Sequence, residues 1–384
     1  MNKKRRLILK TAGSALLITA AGGVWWGATR TSTSAREPWA RVTEGFGDVR
    51  LNVLAYAILA PNPHNMQPWQ VRLDEALAFS VFCNPDRLLP ETDPPSRQIT
   101  IGFGCFLELA RQAAAESGYR AEIEYYPEGE HGEAIDDRPI AKVVLVEDPD
   151  VVRDPLFATA LTRRTNRFGY DTDRQVDAAA LESIIFATVP GVMAGATGDP
   201  SKVEELRQLT VDAWQTEWSN APTRRESIHV TRFGKQEVTD APWGITLDGA
   251  FNSALVATGM LSREGMDDPE TAAYRESAAF YEAGCRSAMA FAWSTTATNT
   301  RRDQLEAGRA WIRMQQTATE SGLAFQPLSQ ALQEFPAMAT HYERAHEMLA
   351  PADGHTVQML ARLGYARDVG PSPREPLESK LIVA

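Results

Sequence analysis

The segment of the sequence best suited to binding chemistry is a ten-residue loop, Ala60-Pro61-Asn62-Pro63-His64-Asn65-Met66-Gln67-Pro68-Trp69. Its three prolines restrict the backbone, so the polar side chains between them are held in place. Two asparagines, a glutamine and a histidine each offer hydrogen-bond donors and acceptors. A rigid row of such groups suits a flat heterocycle edged with carbonyls and ring nitrogens. A polar turn capped by a buried tryptophan explains the same composition equally well.

A second segment, Arg163-Arg164-Thr165-Asn166-Arg167-Phe168, places three arginines within five residues. Guanidinium groups bind phosphate and other planar anions through paired hydrogen bonds. The competing interpretation is a solvated basic turn on an acidic surface. Taken alone, this segment favours that competing interpretation.

Several common chemistries find no support in the sequence. It contains neither a Gly-x-Ser-x-Gly nucleophile turn nor a Gly-x-x-x-x-Gly-Lys-Ser/Thr phosphate loop. Gly102-Phe103-Gly104 lacks a third glycine and lies in an apolar helical pattern, which indicates close helix packing. His341 and His346 are five residues apart and fall on different helix faces. We therefore predict no metal site, and these patterns identify no catalytic residue.

Hydrophobic periodicity predicts the elements that position the two segments. In the first half it predicts helices over 41–59 and 98–117, and strands over 69–73, 78–83, 121–126 and 140–146. In the second half it predicts helices over 177–186, 201–218, 272–283 and 304–321, and strands over 189–194, 288–294 and 357–363. Residues 220–261 show no clear period and are predicted to be loops that could form a lid.

The first 36 residues differ from the rest of the chain. Residues 3–10 form a basic cluster that contains Arg5-Arg6, and residues 11–28 are weakly apolar with abundant Ala and Gly. This pattern indicates a signal peptide. The Arg-Arg-x-Ile-Leu-Lys run resembles a twin-arginine export signal, which carries proteins already folded. Thr33-Ser34-Ala35 is a poor cleavage site, so export is predicted with the signal either removed or kept as a membrane anchor.

The composition excludes some classes of partner and suggests the domain organisation. The chain has 384 residues and a net charge of −11, with seven basic residues and no acidic residue in the first 36. The remaining body holds 32 basic and 50 acidic residues, and so carries −18. Such a body repels phosphate backbones, so no nucleic-acid partner is predicted. We predict a signal over 1–36 and two α+β halves over 37–150 and 151–384.

Four motifs in order along the chain resemble the nitroreductase family of flavoproteins. The loop at 60–69 is similar to the family's Pro-Ser-x-x-Asn-x-Gln-Pro-Trp, and the segment at 163–168 is similar to Arg-Arg-Ser-x-Arg-x-Phe. Residues 303–310 with Ser321-Gly322-Leu323 resemble the family's helix and its Gly-Leu exit. Leu363-Gly364-Tyr365 and Pro373-Arg374-Glu375-Pro376-Leu377 resemble the family's ending. The resemblance implies a nitroreductase-like α+β fold.

The order of the motifs differs from that of typical family members, which are about half this length and begin with the arginine motif. Here the Asn-Gln-Pro motif lies in the first half and the arginine motif in the second. This arrangement resembles the Acg-like branch, in which two copies are fused and each has lost part of its site. The resemblance implies a pseudo-dimer with one complete FMN site shared between the halves.

The resemblance also implies roles for individual residues. Arg163, Arg164 and Arg167 would hold the FMN phosphate and ring edge, with Arg374 as a second phosphate partner. The loop would follow the ribityl chain and pyrimidine of FMN, through Asn62, His64, Asn65 and Gln67. Residues 325–329 would pass near the reactive N5 of the flavin.

The implied activity is a two-electron, ping-pong transfer from a reduced donor through FMN to a nitro, quinone or similar acceptor. The donor would be NAD(P)H or a quinol, and the Tat export machinery would be a further partner. The protein would be periplasmic or otherwise exported, as a monomeric pseudo-dimer or a homodimer. The alternatives are a non-catalytic FMN-binding or storage protein with an occluded site, and a flavin-free relic in which the motifs only support the fold.

Overall fold

The computed structural model describes residues 31–75 and 77–382. The first half forms α1 (Pro38–Arg41), α2 (Val49–Ala57), β1 (Trp69–Leu73), β2 (Ala78–Cys83), α3 (Arg97–Glu116), β3 (Tyr119–Tyr125) and β4 (Ala141–Glu147). The next part forms α4 (Ala178–Phe186), β5 (Val192–Thr197), α5 (Pro200–Ser219), α6 (Ala221–His229), β6 (Thr231–Phe233), α7 (Gly234–Asp240), β7 (Ile245–Leu247), α8 (Ala250–Ala257) and α9 (Arg263–Asp267). The last part forms α10 (Ala272–Arg286), β8 (Ala290–Thr296), α11 (Arg301–Glu320), β9 (Ala324–Pro327), α12 (Ala339–Leu349), β10 (Thr356–Gly364) and β11 (Leu381–Ile382).

Two sheets repeat one order of four antiparallel strands. In the first sheet the strands from the first half run β1-β2-β4-β3, and in the second sheet the order is β5-β8-β10-β9. Each neighbouring pair in both series is antiparallel. The predicted hairpin at 69–83 is confirmed, with Trp69 opposite Cys83 and Leu73 opposite Phe79. The halves therefore share one topology.

Helices α3 and α11 pack against each other between the two sheets. A side chain at Gly104 would overlap the carbonyl oxygen of Leu305, and one at Gly308 would overlap that of Ile101. The same helices pair Gln112 with Gln316, 204 residues apart, through two amide hydrogen bonds of 2.8 and 2.9 Å. The predicted close packing at 102–104 is confirmed, because only glycine permits this backbone approach.

The matching sheets and the paired central helices confirm the predicted fold class, two fused α+β halves that form a pseudo-dimer. The halves also exchange a segment, since β11 at the end of the chain lies parallel to β1, with Leu381 beside Val71. The second sheet gains no such strand in the described part of the chain. The boundary between 37–150 and 151–384 stays a prediction.

Two predicted elements were wrong. The helix predicted over 41–59 is instead the shorter α2, which begins only at Val49, because Gly45 and Gly47 adopt φ of 78° and 73° and interrupt the helical pattern before it. The loops predicted over 220–261 are instead the three helices α6, α7 and α8 and the two strands β6 and β7. These elements are too short for a clear period, and they are stabilised by an aromatic cluster that includes Trp214 and Trp218.

The long helices were predicted closely. Helices α3, α5 and α11 lie within three residues of their predicted bounds at each end. Thr300 and Asp303 form a reciprocal capping box that fixes the start of α11. Within 31–75 and 77–382, no helix has the length and apolar character needed to cross a membrane.

Candidate functional site

The loop at 60–69 between α2 and β1, called the polar loop below, has an unusual backbone. Three of its non-glycine residues have positive φ angles: His64 at 48°, Asn65 at 57° and Gln67 at 50°. Each such conformation costs roughly 1–3 kcal/mol and persists only where the surroundings impose it. One internal restraint is the side chain of Asn62, whose Oδ1 accepts a hydrogen bond of 2.8 Å from the Gln67 backbone N–H. The loop is therefore rigid, as its prolines predict.

The amide side chains of Asn65 and Gln67 bind the rest of the protein. Asn65 Oδ1 accepts a 2.6 Å hydrogen bond from Arg374, and its Nδ2 donates to the carbonyl of Pro373 at 3.2 Å. Gln67 Oε1 accepts from the backbone N–H of Glu375 at 2.9 Å, and its Nε2 donates to the carbonyl of Pro242 at 2.9 Å. In this structure both side chains position the loop, and both were predicted to face a cofactor.

His64 keeps one ring nitrogen without a partner. Its Nε2 lies 3.0 Å from the hydroxyl of Ser227 in α6, while its buried Nδ1 has no hydrogen-bond partner in the described part of the chain. Burial, assisted by the charge of Arg167, lowers the pKa of His64 to about 4. The imidazole is therefore neutral near pH 7 and can either donate or accept one hydrogen bond at Nδ1.

Three arginines surround the ring of Trp39. The guanidinium carbons of Arg164, Arg374 and Arg163 lie 4.7, 5.5 and 5.9 Å from the ring centroid. Arg163 and Arg374 share the carbonyl of Leu59, at 2.7 and 3.0 Å. Residues from both halves and from the C-terminal segment thus meet here, at the residue that precedes the polar loop in the sequence. This group, Trp39 with Arg163, Arg164 and Arg374, is called the arginine cluster below.

The arginine cluster has no acidic partner among the residues that the structure describes. Arg163 and Arg374 are each 3% exposed. Burial lowers the pKa of Arg163 to about 10, and burial together with Arg163 and Arg164 lowers that of Arg374 to about 9. Burial also lowers the pKa of Arg164. Buried charges without a counter-ion are costly, so the cluster suits an anionic ligand.

The three arginines differ in what they can still bind. Each side-chain nitrogen of Arg374 already donates to protein oxygens, including the carbonyls of Ile58, Leu59 and Ala60. The Nε atoms of Arg163 and Arg164 are buried and lack a hydrogen-bond partner within the described ranges 31–75 and 77–382. The structure therefore favours a positioning role for Arg374, which had been predicted to contact phosphate, and leaves donors at Arg163 and Arg164.

Arg167 lies apart from the arginine cluster. Arg167 is exposed, and within 31–75 and 77–382 its side chain forms no ion pair or hydrogen bond. Its charge contributes to the low pKa of His64, which places it on the histidine side of the loop. The backbone N–H of the neighbouring Asn166 donates to the carbonyl of Phe325 at 3.0 Å. Segment 325–329 therefore begins beside the arginine motif, and its predicted role near a flavin stays a prediction.

The segment at 220–247 covers the polar loop. Gly244 N–H donates to the Asn65 carbonyl at 3.0 Å, next to the contacts from Pro242 and Ser227 described above. Trp243 is sandwiched between the guanidinium groups of Arg87 and Arg232, 3.6 and 3.8 Å from its ring centroid. A lid function for this segment stays a prediction.

Sequence reasoning missed Trp39, Ser227 and Trp243, since nothing in the local pattern around them marks a contact with the loop. The only available signal was the position of Trp39, which lies where the first half lacks an arginine motif. The part of the chain that the structure describes holds no group of three or more metal-ligating side chains.

Comparison with known proteins found relatives along most of the chain, although no protein-family model matches it. The chain is 26% identical over 348 residues to "Putative NAD(P)H nitroreductase Rv3131" from Mycobacterium tuberculosis, covering 85% of this chain and 88% of that protein. It is 35% identical over 80 residues to "Putative NAD(P)H nitroreductase acg" from the same species, covering 21% of this chain and 24% of that protein. An FMN-bound nitroreductase structure from Bacteroides fragilis aligns with a TM-score of 0.34 and 15% identity, over 58% of this chain and 94% of that one.

Proposed function

We propose that this protein is an FMN-dependent oxidoreductase of the nitroreductase type, with one FMN site shared between its two halves. The similarity to proteins named NAD(P)H nitroreductases extends over 85% of the chain and supports the proposal. The order of the motifs supports the Acg-like, fused arrangement. A nicotinamide is the first donor to test, because the relatives' names include it, and a quinol is the second.

The observation that carries the proposal is the uncompensated arginine cluster beside the rigid polar loop. Two buried Nε donors, at Arg163 and Arg164, have no partner among the residues that the structure describes, and a phosphate monoester would supply both the acceptors and the missing negative charge. Arg164 is half-buried, whereas Arg163 and Arg374 are buried, so Arg164 is the cation that an incoming phosphate reaches first. The residues present therefore fit the phosphate of FMN.

In this proposal each group of residues has one task. Arg163 and Arg164 hold the phosphate, and Arg374 fixes the Asn65 side chain at the entrance of the loop. Neutral His64 offers its Nδ1 to the polar edge of the ring system, and Arg167 supplies positive charge on the same side. When bound, FMN supplies two-electron transfer between a donor and a nitro, quinone or similar acceptor.

The test is the visible spectrum of the purified protein and of an Arg164→Ala variant. We expect a flavin band in the wild type, and a band weakened at least tenfold in the variant after equal dialysis, because a charge-assisted phosphate contact contributes about 1.5–3 kcal/mol. The matched control is Arg286→Ala, which removes a half-exposed arginine paired with Glu282 on α10. A wild type without flavin, even after added FMN, contradicts the proposal.

A second function, FMN binding or storage without turnover, is favoured by one observation. Asn65 and Gln67 are tied to Gly244 and Pro242, so the covering segment restricts access to the loop. Steady-state reduction of a nitro or quinone acceptor faster than with free FMN, using NAD(P)H or a quinol, distinguishes the two. Such turnover contradicts storage, whereas tight FMN binding without turnover supports it.

We also propose that the chain is exported by the Tat route and kept at the membrane by an uncleaved signal, as a monomeric pseudo-dimer. The predicted cleavage site supports retention, because Ala35 is 3% exposed and its carbonyl accepts a 2.8 Å hydrogen bond from Arg374 N–H. Proteases cut exposed, flexible segments far more readily than packed ones. A protein exported in its folded state would present this site already packed.

A further inference from the structure

The surface of α8 and its following turn is unusually apolar. Residues 249–262 contain no charged residue, in a chain where charged residues make up 23%. Phe251 is 75% exposed and Met260 is 65% exposed. The other exposed residues of this surface are Ala250, Ala257, Thr258 and Gly259. Ala250 and Ala257 lie seven residues apart beside Phe251 on one side of the helix, and the exposed turn 258–260 follows directly, so this side of the helix faces outward with a largely apolar surface.

The opposite face of α8 is firmly packed. Leu255 and Val256 pack against a buried aromatic cluster that contains Trp214, Trp218 and Phe233. The outward orientation of Phe251 is therefore imposed by the burial of its neighbours on the helix. Exposed apolar side chains that cluster on one surface indicate a partner.

The start of α8 lies beside the point where the N-terminal segment enters the body. Ser32 N–H donates to Asp248 Oδ2 at 3.0 Å, and Arg36 binds both carboxylate oxygens of Asp248, at 2.9 and 3.0 Å. Arg36 also donates to the carbonyl of Pro371 at 2.8 Å. These contacts hold residues 32–36 against the residue that precedes the helix by two positions.

The sequence of the N-terminal segment limits the distance between α8 and a bilayer. The apolar stretch of the predicted signal ends at residue 28, four residues before Ser32. Four extended residues span at most about 14 Å. If this stretch stays in a membrane, the start of α8 is held near the lipid headgroups.

We propose that Phe251, Met260 and the apolar stripe of α8 form a docking surface that lies in the headgroup region of a lipid bilayer. The inference rests on the proposed anchoring and is independent of the FMN site. A bilayer suits the surface better than a second copy of the chain, because a stable dimer buries about 800 Å² per partner and this stripe is two helical turns long. Exposed apolar and aromatic side chains gain burial when they enter the boundary between headgroups and acyl chains, and this gain scales with their apolar area.

This docking gives the covering segment a fixed relation to the membrane. The segment at 220–247 continues directly into α8, so the elements that contact the polar loop lie next to the lipid surface. A membrane-soluble quinol would then approach the candidate site from the bilayer side.

The test uses the full-length chain with single cysteine substitutions labelled by an environment-sensitive fluorophore. The native Cys83, Cys105 and Cys285 are buried, so labelling is confined to the new position. Phe251→Cys and Met260→Cys probe the surface, and Phe186→Cys is the matched control because Phe186 is also 75% exposed and lies on α4. Each labelled protein is reconstituted into vesicles of phosphatidylethanolamine and phosphatidylglycerol, with and without lipids carrying nitroxide quenchers.

We expect the labels at 251 and 260 to shift to the blue in vesicles and to be quenched roughly threefold or more strongly than the label at 186. Equal quenching at 251 and 186 overturns the proposal. Shielding of the label at 251 in the absence of lipid also overturns it. Shielding independent of concentration would then assign the surface to residues 1–30, and concentration-dependent shielding would assign it to a second copy. Flavin content, measured on the same samples, separates these results from the fate of the FMN proposal.

Discussion

Individual charged residues near the candidate site are held in protonation states that the sequence does not reveal. Glu217 in α5 is 3% exposed and accepts a hydrogen bond of 3.1 Å from Gln333. Burial raises the pKa of Glu217 to about 7, while hydrogen bonds from Gln333, Gln330 and Ser227 oppose the shift. Ser227 also lies 3.0 Å from His64 Nε2, so Glu217 is close to the histidine of the polar loop.

The raised pKa of Glu217 predicts a pH-dependent contribution to stability. Between about pH 4.5 and 7 the folded state keeps a proton that the unfolded state loses, so this contribution is full below pH 4.5 and disappears as the pH rises through 7. Between pH 4.5 and 8 we expect this carboxyl group to cost the wild type up to about 3 kcal/mol of unfolding free energy. Glu217→Gln has no proton to lose, so its unfolding free energy should fall by that much less over the same range. Urea unfolding at both pH values measures this, with the exposed Glu204→Gln as control. Parallel pH dependence in the wild type and Glu217→Gln argues against the assignment.

At the scale of elements, the contact between α3 and α11 determines how the halves meet. Gly104 and Gly308 let the two backbones touch, and the Gln112–Gln316 pair extends the contact along both helices. The helix α2 and the loop at 60–69 are positioned through the same core, since Gly102 lies against Asn62 and Pro63. Loss of this helix contact would therefore disturb the candidate site as well as the pseudo-dimer.

We predict that Gly308→Ala destabilises the protein by about 3 kcal/mol or more, because its side chain would overlap the Ile101 carbonyl oxygen and force the helices apart. Thermal or urea unfolding measures the loss. Gly169→Ala is the matched control, since Gly169 is exposed and a side chain there meets nothing within 4 Å. A difference below about 0.5 kcal/mol between the variants would show that α3 and α11 can separate without cost.

At the scale of the whole molecule, the two halves are related in topology but unequal in their loops. Eleven residues, 58–68, join α2 to β1 in the first half, whereas five residues, 187–191, join α4 to β5 in the second. The shorter connection leaves no counterpart of the polar loop. The arginine cluster likewise draws on the second half and the C-terminal segment, with Trp39 from the first half.

This inequality predicts one FMN per chain. Each half would need its own polar loop and arginine cluster to hold a flavin, and the second-half connection has lost the residues for the loop. Titration of flavin-depleted protein with FMN, followed by absorbance and by protein concentration from amino-acid analysis, measures the ratio. A ratio near two would contradict the proposed sharing of a single site between the halves.

The sequence by itself determined the elements and motifs whose signal is local. The 69–83 hairpin, helices α3 and α11, and the close packing at Gly104 follow from alternation, helical periodicity and the conformational freedom of glycine. The order of the motifs pointed to two fused halves. Each of these signals lies within one stretch of chain, and such stretches fold largely as their own side-chain pattern requires.

Only the tertiary structure decided which residues meet at the candidate site. Trp39, Asn65, Arg163, Gly244 and Arg374 come from five separated stretches, and burial of the whole core brings them together. It also showed that Arg374 and Gln67 bind protein groups, and that 220–261 is ordered around Trp214 and Trp218. Contacts of this kind depend on the free energy of the complete fold, which no local pattern encodes.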